Sequence, residues 1–286
     1  MIVTRFAPSP TGFLHLGHAF AALTAFDTAT NAGGRFLLRI EDIDRARSRP
    51  DYEDAIKSDL AWLGIRWEEP VRRQSEHFAD YELALKKLGA QGLLYPCFCT
   101  RKEIADEIAR AASAPHGPEG ALYPGLCRTL SLAEREQRVR EGAPYALRLD
   151  VAKARALHSS LFFEERGRGP DGETGRQAAR PELLGDIVLA RKEMPASYHL
   201  AVVLDDALQG VNLVTRGQDL FAATHVQRLL QALLGLKPPA YAHHRLILDS
   251  SGKKFSKRDK AATLHDWRQS GRSPSELRAM LEFDGH

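Results

Sequence analysis

Two histidines near the N-terminus have the type and spacing of groups that bind phosphate. His15 and His18 lie three residues apart in the stretch RFAPSPTGFLHLGH, with Gly17 between them. Residues at this spacing share one side of a first helical turn, and a helix N-terminus offers N–H donors and a positive dipole end to an anion. Gly17 would let a flat ring approach the backbone. The stretch predicts a nucleotide site; the competing interpretation is two surface histidines at a helix cap.

A strongly cationic segment lies near the other end of the chain. SSGKKFSKRDK, residues 250–260, combines one acid, Asp259, with five cations: Lys253, Lys254, Lys257, Arg258 and Lys260. A cluster of one sign concentrates ligands of the opposite sign. The segment is therefore suited to a ligand with several negative charges, and its simpler interpretation is a set of solvated surface charges.

Three cysteines form a candidate metal site. Cys97 and Cys99 make a Cys-x-Cys pair, and Cys127 ends the stretch YPGLC. Three thiols fill three of the four positions that structural zinc takes. Two residues are candidates for the fourth: His116, the ordinary choice, and Tyr123, an unusual one. The competing interpretation is three reduced cysteines without a metal.

The composition is that of an ordinary globular protein. Of 286 residues, 43% are hydrophobic and 27% charged, and a net charge of +3 indicates a polyanionic partner only weakly. No apolar run is long enough for a membrane span, and the N-terminus MIVTRFAPSP lacks the pattern of a signal peptide. With three cysteines a disulfide framework is not expected, so the expected compartment is the cytoplasm.

The elements that must position these residues alternate between strand and helix, which predicts a parallel sheet covered on both faces. The predicted strands are IVTRFA, RFLLRI, DIVLAR, VNLVTRG and YAHHRLIL, and the predicted helices are LGHAFAALTAFDTATN, DYEDAIKSDLAWLG, HFADYELALKKLGAQG and DLFAATHVQRLLQALLG. The middle of the chain differs, because it holds all the cysteines and a glycine-rich stretch, EERGRGPDGETGRQAAR, that predicts a mobile loop. The predicted division is a sheet domain of residues 1–95 and 185–248, an insertion of residues 96–184, and a lysine segment with C-terminal helices over residues 249–286.

Taken together, the motifs resemble those of class I aminoacyl-tRNA synthetases. HLGH after a first strand and KFSKR near the end of a split sheet are similar to the two signatures of that class, and RFAPSPTG, RIEDID, DYEDAIKSDLAWLGI and VTRGQDL resemble its glutamyl branch. The resemblance covers nearly the whole chain in order. It implies an α/β fold, in which a Rossmann-like catalytic domain with a parallel sheet is split by an inserted zinc-binding, acceptor-type subdomain and followed by a short helical segment.

This resemblance also implies an activity, the activation of L-glutamate with ATP. It implies that ATP, arriving with Mg²⁺, is bound by His15, Gly17, His18 and Lys257, of which the two histidines and the lysine are catalytic. It implies a glutamate pocket formed by Arg5, Ala7 through its backbone, Ser9, Glu41, Tyr198 and Arg216. Arginine can bind a carboxylate through two hydrogen bonds. The simpler roles are an ion pair of Glu41 with Arg39 and a buried aromatic ring for Tyr198.

At the metal site the resemblance favours tyrosine over histidine. The family pattern Cys-x-Cys with Tyr-x-x-x-Cys implies one structural Zn²⁺ per chain, bound by Cys97, Cys99, Tyr123 and Cys127.

The acceptor of glutamate is suggested by the end of the chain. After the lysine segment there is room for short helices only, where conventional members carry a long anticodon-reading region. The chain in this respect resembles truncated members of the glutamyl branch, which activate glutamate without tRNA and transfer it to queuosine at the wobble position of tRNA(Asp). The arginines of RTLSLAEREQRVR are candidate RNA contacts, and a monomer without a membrane partner is expected.

Two alternatives to this function stay open. One is the catalytic fragment of a conventional synthetase, which charges the 3′ end of tRNA(Glu). The other is a tRNA-binding or regulatory module without catalysis, against which the intact His15, His18, Lys257, Arg5 and Glu41 argue.

Overall fold

The structure is a computed structural model that describes residues 1–110, 116–117, 120–158, 160–248 and 263–281. Its first part alternates strands and helices as the sequence predicts, with one strand more than predicted. The elements are β1 (Val3–Phe6), α1 (Leu16–Asn31), β2 (Arg35–Ile40), α2 (Pro50–Trp62), β3 (Glu68–Arg73) and α3 (Phe78–Ala90).

The middle of the chain is built from short elements. They are β4 (Leu94–Cys97), α4 (Arg101–Arg110), β5 (His116–Gly117), β6 (Gly120–Ala121), α5 (Leu132–Arg140), β7 (Ala146–Leu149), α6 (Val151–Leu157), β8 (Phe162–Glu165), β9 (Gly175–Ala178) and β10 (Val188–Arg191).

The last part returns to longer elements. They are α7 (Tyr198–Leu208), β11 (Leu213–Gly217), α8 (Phe221–Leu234), β12 (Ala240–His244), α9 (Leu264–Gln269) and α10 (Pro274–Met280). Single 3₁₀ turns lie at Gln74–Glu76, Leu126–Arg128, Pro181–Leu184 and Gln218–Leu220.

Parallel strands from both ends of the chain meet side by side. β1 pairs with β2 and β2 with β3, while β11 pairs with β12 and β12 with β8, all in parallel. The two sets are joined where the N–H of Asn212 donates to the carbonyl of Val3 at 3.1 Å and the side-chain oxygen of Asn212 accepts from the N–H of Val3 at 2.9 Å. β1 and β11 are thus neighbours, and the sheet continues from them to opposite sides, from β1 to β2 and from β11 to β12. Ligands of such sheets bind at the carboxyl ends of the two central strands.

A separate antiparallel sheet has the order β10-β7-β4. The sequence assigned DIVLAR to the parallel sheet, and this assignment is wrong, because β10 pairs with β7 instead. The predicted insertion covers residues 96–184. β4 crosses its first boundary, between residues 95 and 96, and β10 begins after its last boundary, between residues 184 and 185. The domain division itself stays a prediction.

The glycine-rich stretch predicted as a mobile loop is a hairpin. β8 and β9 pair in antiparallel fashion, and β8 also joins β12 of the parallel set. Its inner side chains, Phe163 and Glu165, are buried while Phe162 and Glu164 are exposed. This alternation of buried and exposed residues is typical of a strand with one covered face, and the glycines around it hid the pattern.

Two hydrophobic clusters cover the faces of the parallel strands. One packs α3, α7 and α8 against the sheet, and the other packs α1 and α2 with the C-terminal helices through Leu264 and Trp267. Arg268 of α9 donates to Asp59 of α2 at 3.2 Å, which fixes this contact. Among the described helices, none combines the length and apolar character that a membrane crossing needs.

Candidate active site and candidate metal centre

A cavity of about 320 Å³ opens at the carboxyl ends of β1 and β11. It lies where the two sets of parallel strands meet, the usual ligand position in this class of sheet. Eight of the residues predicted from the sequence line it: Arg5, Ala7, His15, Gly17, His18, Glu41, Tyr198 and Arg216. The structure therefore brings the predicted ATP and glutamate residues together in one place.

The two remaining predicted residues are Ser9 and Lys257. Ser9 lines a neighbouring cavity, also of about 320 Å³, that shares Glu41 and Tyr198 with the first. Lys257 lies outside the described residues. Its described flanks both reach the first cavity, because Leu246 and Ile247 line it and residue 263 forms a backbone bridge with His15.

The two predicted histidines pack against each other at the start of α1, with their ring planes tilted by 37°. Their ring centroids are 3.8 Å apart. The Nδ1 of His15 accepts from the backbone N–H of Gly17 at 3.1 Å, and the Nδ1 of His18 accepts from the N–H of His15 at 3.2 Å. Because both Nδ1 atoms are acceptors, each neutral ring carries its proton on Nε2. Each ring thus carries its N–H at Nε2. The backbone N–H groups of His15 and Gly17, which the sequence analysis expected to face an anion, are instead bonded to the rings.

Gly17 lies close against the ring of His15. A Cβ atom at Gly17 would lie 3.1 Å from Cε1 and 3.2 Å from Nδ1 of His15, closer than carbon atoms normally pack. The sequence predicted that this glycine leaves room for a ligand ring. The structure shows that the side chain of His15 takes part of that room.

One side of the cavity is a buried charge network centred on Asp206. Its Oδ1 accepts from Nε of Arg5 at 3.0 Å and from NH1 of Arg39 at 2.7 Å, and NH2 of Arg39 donates to Glu41 at 3.2 Å. Burial alone would raise the pKa of Asp206, but Arg5 and Arg39 outweigh it and lower that pKa. Burial raises the pKa of Glu41 although Arg39 and Arg5 oppose it. The ion pair of Glu41 with Arg39, the simpler interpretation from the sequence, is present.

The other side of the cavity holds Arg216, whose partners are all uncharged groups. Its Nε donates to Nε2 of His243 at 3.1 Å, and NH2 donates to the hydroxyl of Thr224 at 2.6 Å. NH1 donates to Gln227 at 2.8 Å and to the hydroxyl of Tyr198 at 3.3 Å. Within the described part of the chain no carboxylate pairs with Arg216, although its residue exposure is only 5%. A buried, uncompensated guanidinium favours an anionic ligand.

The neighbouring cavity contains His199, a histidine that the sequence did not single out. Its Nδ1 is buried without a hydrogen-bond partner. Burial, with a contribution from Arg216, lowers its pKa to about 4, so the ring is neutral near pH 7. Ser9, Asp44 and Arg47 also line this cavity, so it presents both charged and hydroxyl groups.

The predicted metal ligands lie within reach of one ion. The sulfur atoms of Cys97, Cys99 and Cys127 all lie within 4.8 Å of one another. The phenol oxygen of Tyr123 is 3.3 Å from the sulfur of Cys97 and 3.6 Å from that of Cys99. Tetrahedral zinc with bonds of about 2.3 Å to sulfur spaces its ligand atoms by roughly 3.8 Å. The four side chains therefore fit such an ion. For His116, the alternative fourth ligand, the structure describes the backbone in β5 but not the side chain.

The electrostatics of this cluster also favour a cation. Burial raises the pKa of Cys99 to about 12, and the neighbouring sulfurs of Cys127 and Cys97 add to that shift. Burial likewise raises the pKa of Tyr123. Burial would also raise the pKa of Cys97, but hydrogen bonds with Tyr123 and Arg148 outweigh it and lower that pKa. Several anionic ligands this close together repel one another unless a positive ion lies among them. The cluster is consistent with a metal ion, and its chemistry does not by itself identify the metal.

Four buried residues that contact the side chains of the candidate cavity were not singled out by the sequence analysis, which named Arg39 only as a partner of Glu41. They are Arg39, Glu165, Asp206 and His243. The signals were present but weak: an acidic pair inside the apolar helix VVLDDAL, and two adjacent histidines in the strand YAHHRL. What the sequence could not show is which distant residue each of them meets.

Comparison with known proteins gives a consistent family. Residues 1–285 match the family described as tRNA synthetases class I (E and Q), catalytic domain. A protein of Rhodobacter capsulatus named glutamyl-Q tRNA(Asp) synthetase is 50% identical over 285 residues, covering 98% of this chain and 99% of that protein. A protein of Nocardia farcinica with the same name is 45% identical, covering 97% of this chain and 82% of that protein.

Longer proteins match as well. The glutamate–tRNA ligase of Aquifex aeolicus is 39% identical, covering 96% of this chain but 55% of the ligase. A crystal structure of a glutamate tRNA ligase from Elizabethkingia meningosepticum in complex with its amino acid has a TM-score of 0.72 and 30% identity, covering 90% of this chain and 52% of that one. The chain thus spans about half the length of these ligases.

Proposed function

The chain belongs to the family of class I tRNA synthetases for glutamate and glutamine, and on this premise we propose that it activates L-glutamate with ATP and transfers it to queuosine in tRNA(Asp). The cavity that gathers Arg5, Glu41, Arg216 and the two adjacent histidines is the observation that carries the activation step. The acceptor follows from relatives of similar length named glutamyl-Q tRNA(Asp) synthetase.

The two arginines of the cavity have different roles in this proposal. Arg5 already pairs with Asp206, so much of its charge is compensated. In the described part of the chain Arg216 donates only to uncharged side chains. One of its five N–H donors, on NH2, is left for a carboxylate, and a second is gained where the long NH1 bond to Tyr198 gives way. Arg216 therefore holds the side-chain carboxylate of glutamate, with the hydroxyl of Tyr198 beside it, and Glu41 pairs with the ammonium group.

ATP lies towards the start of α1. The Nε2–H groups of His15 and His18 donate to phosphate oxygens, and Lys257 approaches from the segment whose flanks lie at the cavity. Mg²⁺ arrives on the phosphates and neutralises part of their charge. Because charge accumulates on phosphate oxygens in the transition state, preorganised donors are the main catalytic device.

Two displacements then complete the reaction. An oxygen of the α-carboxylate attacks the α-phosphorus of ATP, the bond to pyrophosphate breaks, and glutamyl-adenylate forms. A hydroxyl of the cyclopentenediol of queuosine next attacks the carbonyl carbon and loses its proton, and AMP leaves as the ester forms. The cavity lined by Ser9 and His199 shares Glu41 and Tyr198 with the first, which supports it as the entrance for the acceptor.

The metal site has a structural role in the proposal. One Zn²⁺ would be held by Cys97, Cys99, Tyr123 and Cys127, and it would tie β4 to the turn that carries Cys127. When bound, the ion supplies charge compensation for the ligands and takes no part in the transfer. The three free cysteines fit a reducing compartment, so we place the enzyme in the cytoplasm.

The decisive experiment locates labelled glutamate on the RNA. The protein, ATP and labelled glutamate are incubated with tRNA(Asp) that carries queuosine, with the same tRNA that lacks it, and with tRNA(Glu). We expect label only on the modified tRNA, and nuclease mapping should place it in the anticodon loop. Label on the 3′-terminal nucleotide of tRNA(Glu), or equal labelling of unmodified tRNA(Asp), would favour a conventional glutamyl-tRNA synthetase.

A further inference from the structure

We propose that Glu165 and His243 are positioning residues for Arg216, which they orient through a neutral imidazole so that its positive charge stays available to a substrate carboxylate. The proposal rests on the assignment of Arg216 to the glutamate pocket. It adds two side chains that do not line that cavity. They act on the substrate only by orienting Arg216.

The three side chains form a row across three neighbouring strands. Arg216 of β11 and His243 of β12 are direct partners in the parallel pairing, and Glu165 of β8 pairs with Tyr241, two residues before His243. Oε2 of Glu165 is 2.6 Å from Nδ1 of His243, and Nε2 of His243 is 3.1 Å from Nε of Arg216. Both the Glu165 and His243 side chains are fully shielded from solvent, so water does not compete for these bonds.

The geometry allows one protonation pattern for His243. A guanidinium can only donate, so Nε2 of His243 must accept and carries no proton. The ring proton therefore lies on Nδ1 and is donated to Glu165. Burial lowers the pKa of His243, Glu165 opposes that effect, and Arg216 adds to it, so the ring is neutral in agreement with the hydrogen bonds.

Glu165 is itself held in place. Its Oε1 accepts from the N–H of His243 and from the N–H of Gly167, both at 2.9 Å. The carboxylate thus fixes the tautomer of His243 through one oxygen and its own position through the other. In this arrangement Glu165 fixes the orientation of the His243 ring, and the ring in turn orients Arg216.

A comparison of the two arginines shows why the imidazole matters. Arg5 donates directly to the carboxylate of Asp206, whereas Arg216 is separated from the carboxylate of Glu165 by an uncharged ring. A carboxylate in direct contact with Arg216 would compensate its charge and compete with the substrate for its donors. The intervening ring orients the guanidinium without compensating it, which favours a ligand with a carboxylate over one with an amide.

The test is Glu165→Gln, a change that keeps the size of the side chain. The amide oxygen can still accept the two backbone N–H bonds, and the amide nitrogen then donates to Nδ1 of His243. The ring must shift its proton to Nε2, where it faces the N–H of Arg216. We expect the KM for glutamate in pyrophosphate exchange to rise by about tenfold or more, the cost of a lost bond to a charged group, while the KM for ATP stays within about twofold.

Glu53→Gln is the matched control. Glu53 is also largely buried and pairs with two cations, Lys57 and Arg73, but it lies on α2 and lines neither cavity. We expect this variant to lose stability without any change in the KM for glutamate. If Glu165→Gln leaves the KM for glutamate unchanged, as the control does, or raises the KM for glutamate and for ATP alike, the positioning role is refuted.

A second measurement does not depend on how the variant folds. Nitrogen-15 NMR of labelled histidine in the wild-type protein should show His243 as a neutral ring protonated on Nδ1, and in a folded Glu165→Gln protein as one protonated on Nε2. An imidazolium, or a proton on Nε2 in the wild type, would overturn the proposal. A wild-type protein that exchanges pyrophosphate with glutamate but labels no tRNA refutes the proposed acceptor alone, so the two proposals fail separately.

Discussion

The two sides of the cavity differ in how the charge of their buried residues is paired. Around Asp206 the carboxylate and the arginines pair with one another, whereas Arg216 donates only to uncharged groups of the described chain. Lysine in place of Arg216 keeps the positive charge but loses the planar fork and its four bonds to His243, Tyr198, Gln227 and Thr224. We expect Arg216→Lys to raise the KM for glutamate by roughly 10²-fold. Steady-state pyrophosphate exchange measures this, and an unchanged KM would remove Arg216 from the glutamate pocket.

Gly17 permits a prediction in which stability and activity change in opposite directions. Alanine is the better helix former by about 1 kcal/mol, but its Cβ would lie 3.1 Å from the ring of His15. We expect Gly17→Ala to melt no lower than the wild type while its pyrophosphate exchange falls by about tenfold, because one donor to phosphate is displaced. Gly89→Ala in α3 is the control, since nothing lies within 4 Å of a Cβ there. It should keep full activity.

The raised pKa of Glu41 has a consequence for the pH dependence of glutamate binding. Glu41 must be ionised to pair with an ammonium group, and burial shifts its pKa above the ordinary value of 4.5. Binding should therefore weaken as the pH falls from neutral towards 4.5, and Glu41→Gln should bind weakly at every pH with a flatter profile. Calorimetric titration of glutamate between these limits checks this. A wild-type profile as flat as that of the variant would contradict it.

At the level of elements, the candidate metal ligands connect β4 with the turn Leu126–Arg128. The phenol oxygen of Tyr123 also accepts from the N–H of Cys127 at 2.8 Å, so it organises the turn even without an ion. We expect about one zinc per chain, and Cys97→Ser and Tyr123→Phe should each lower that content. Elemental analysis of protein purified without chelator gives the answer. If His116→Ala removes the metal and Tyr123→Phe keeps it, the assignment of the fourth ligand is wrong.

How far the sequence predicts each element depends on how local its cause is. The helix starting at Leu16 and the strands around Arg5 and Arg216 are visible because apolar periodicity and glycine stops lie within the segment itself. The direction in which β10 pairs, and the union of β8 with β12, depend on partners far along the chain. Likewise His15 and His18 are found from their spacing, whereas the contact of Glu165 with His243 joins residues 78 positions apart. Pairings of this kind leave no trace in a single sequence.

At the scale of the whole molecule, the chain alone supplies both walls of the cavity. We therefore expect pyrophosphate exchange with glutamate and Mg·ATP in the absence of any tRNA, and Lys257→Ala should reduce it by roughly 10²-fold. The exchange rate with and without tRNA(Asp) measures this directly. A strict requirement for tRNA would mean that the RNA completes the site.

The bond between Val3 and Asn212 also determines when the protein can fold during its synthesis. These residues lie 209 positions apart, so β1 emerges from the ribosome long before its neighbour β11 exists. Until then one edge of the first three strands lacks a partner, and an open edge of this kind readily pairs with other chains. Contacts so distant in sequence also slow folding. The cavity between β1 and β11 is accordingly among the last parts of the molecule to form, and a nascent chain stalled before residue 213 lacks one of its walls.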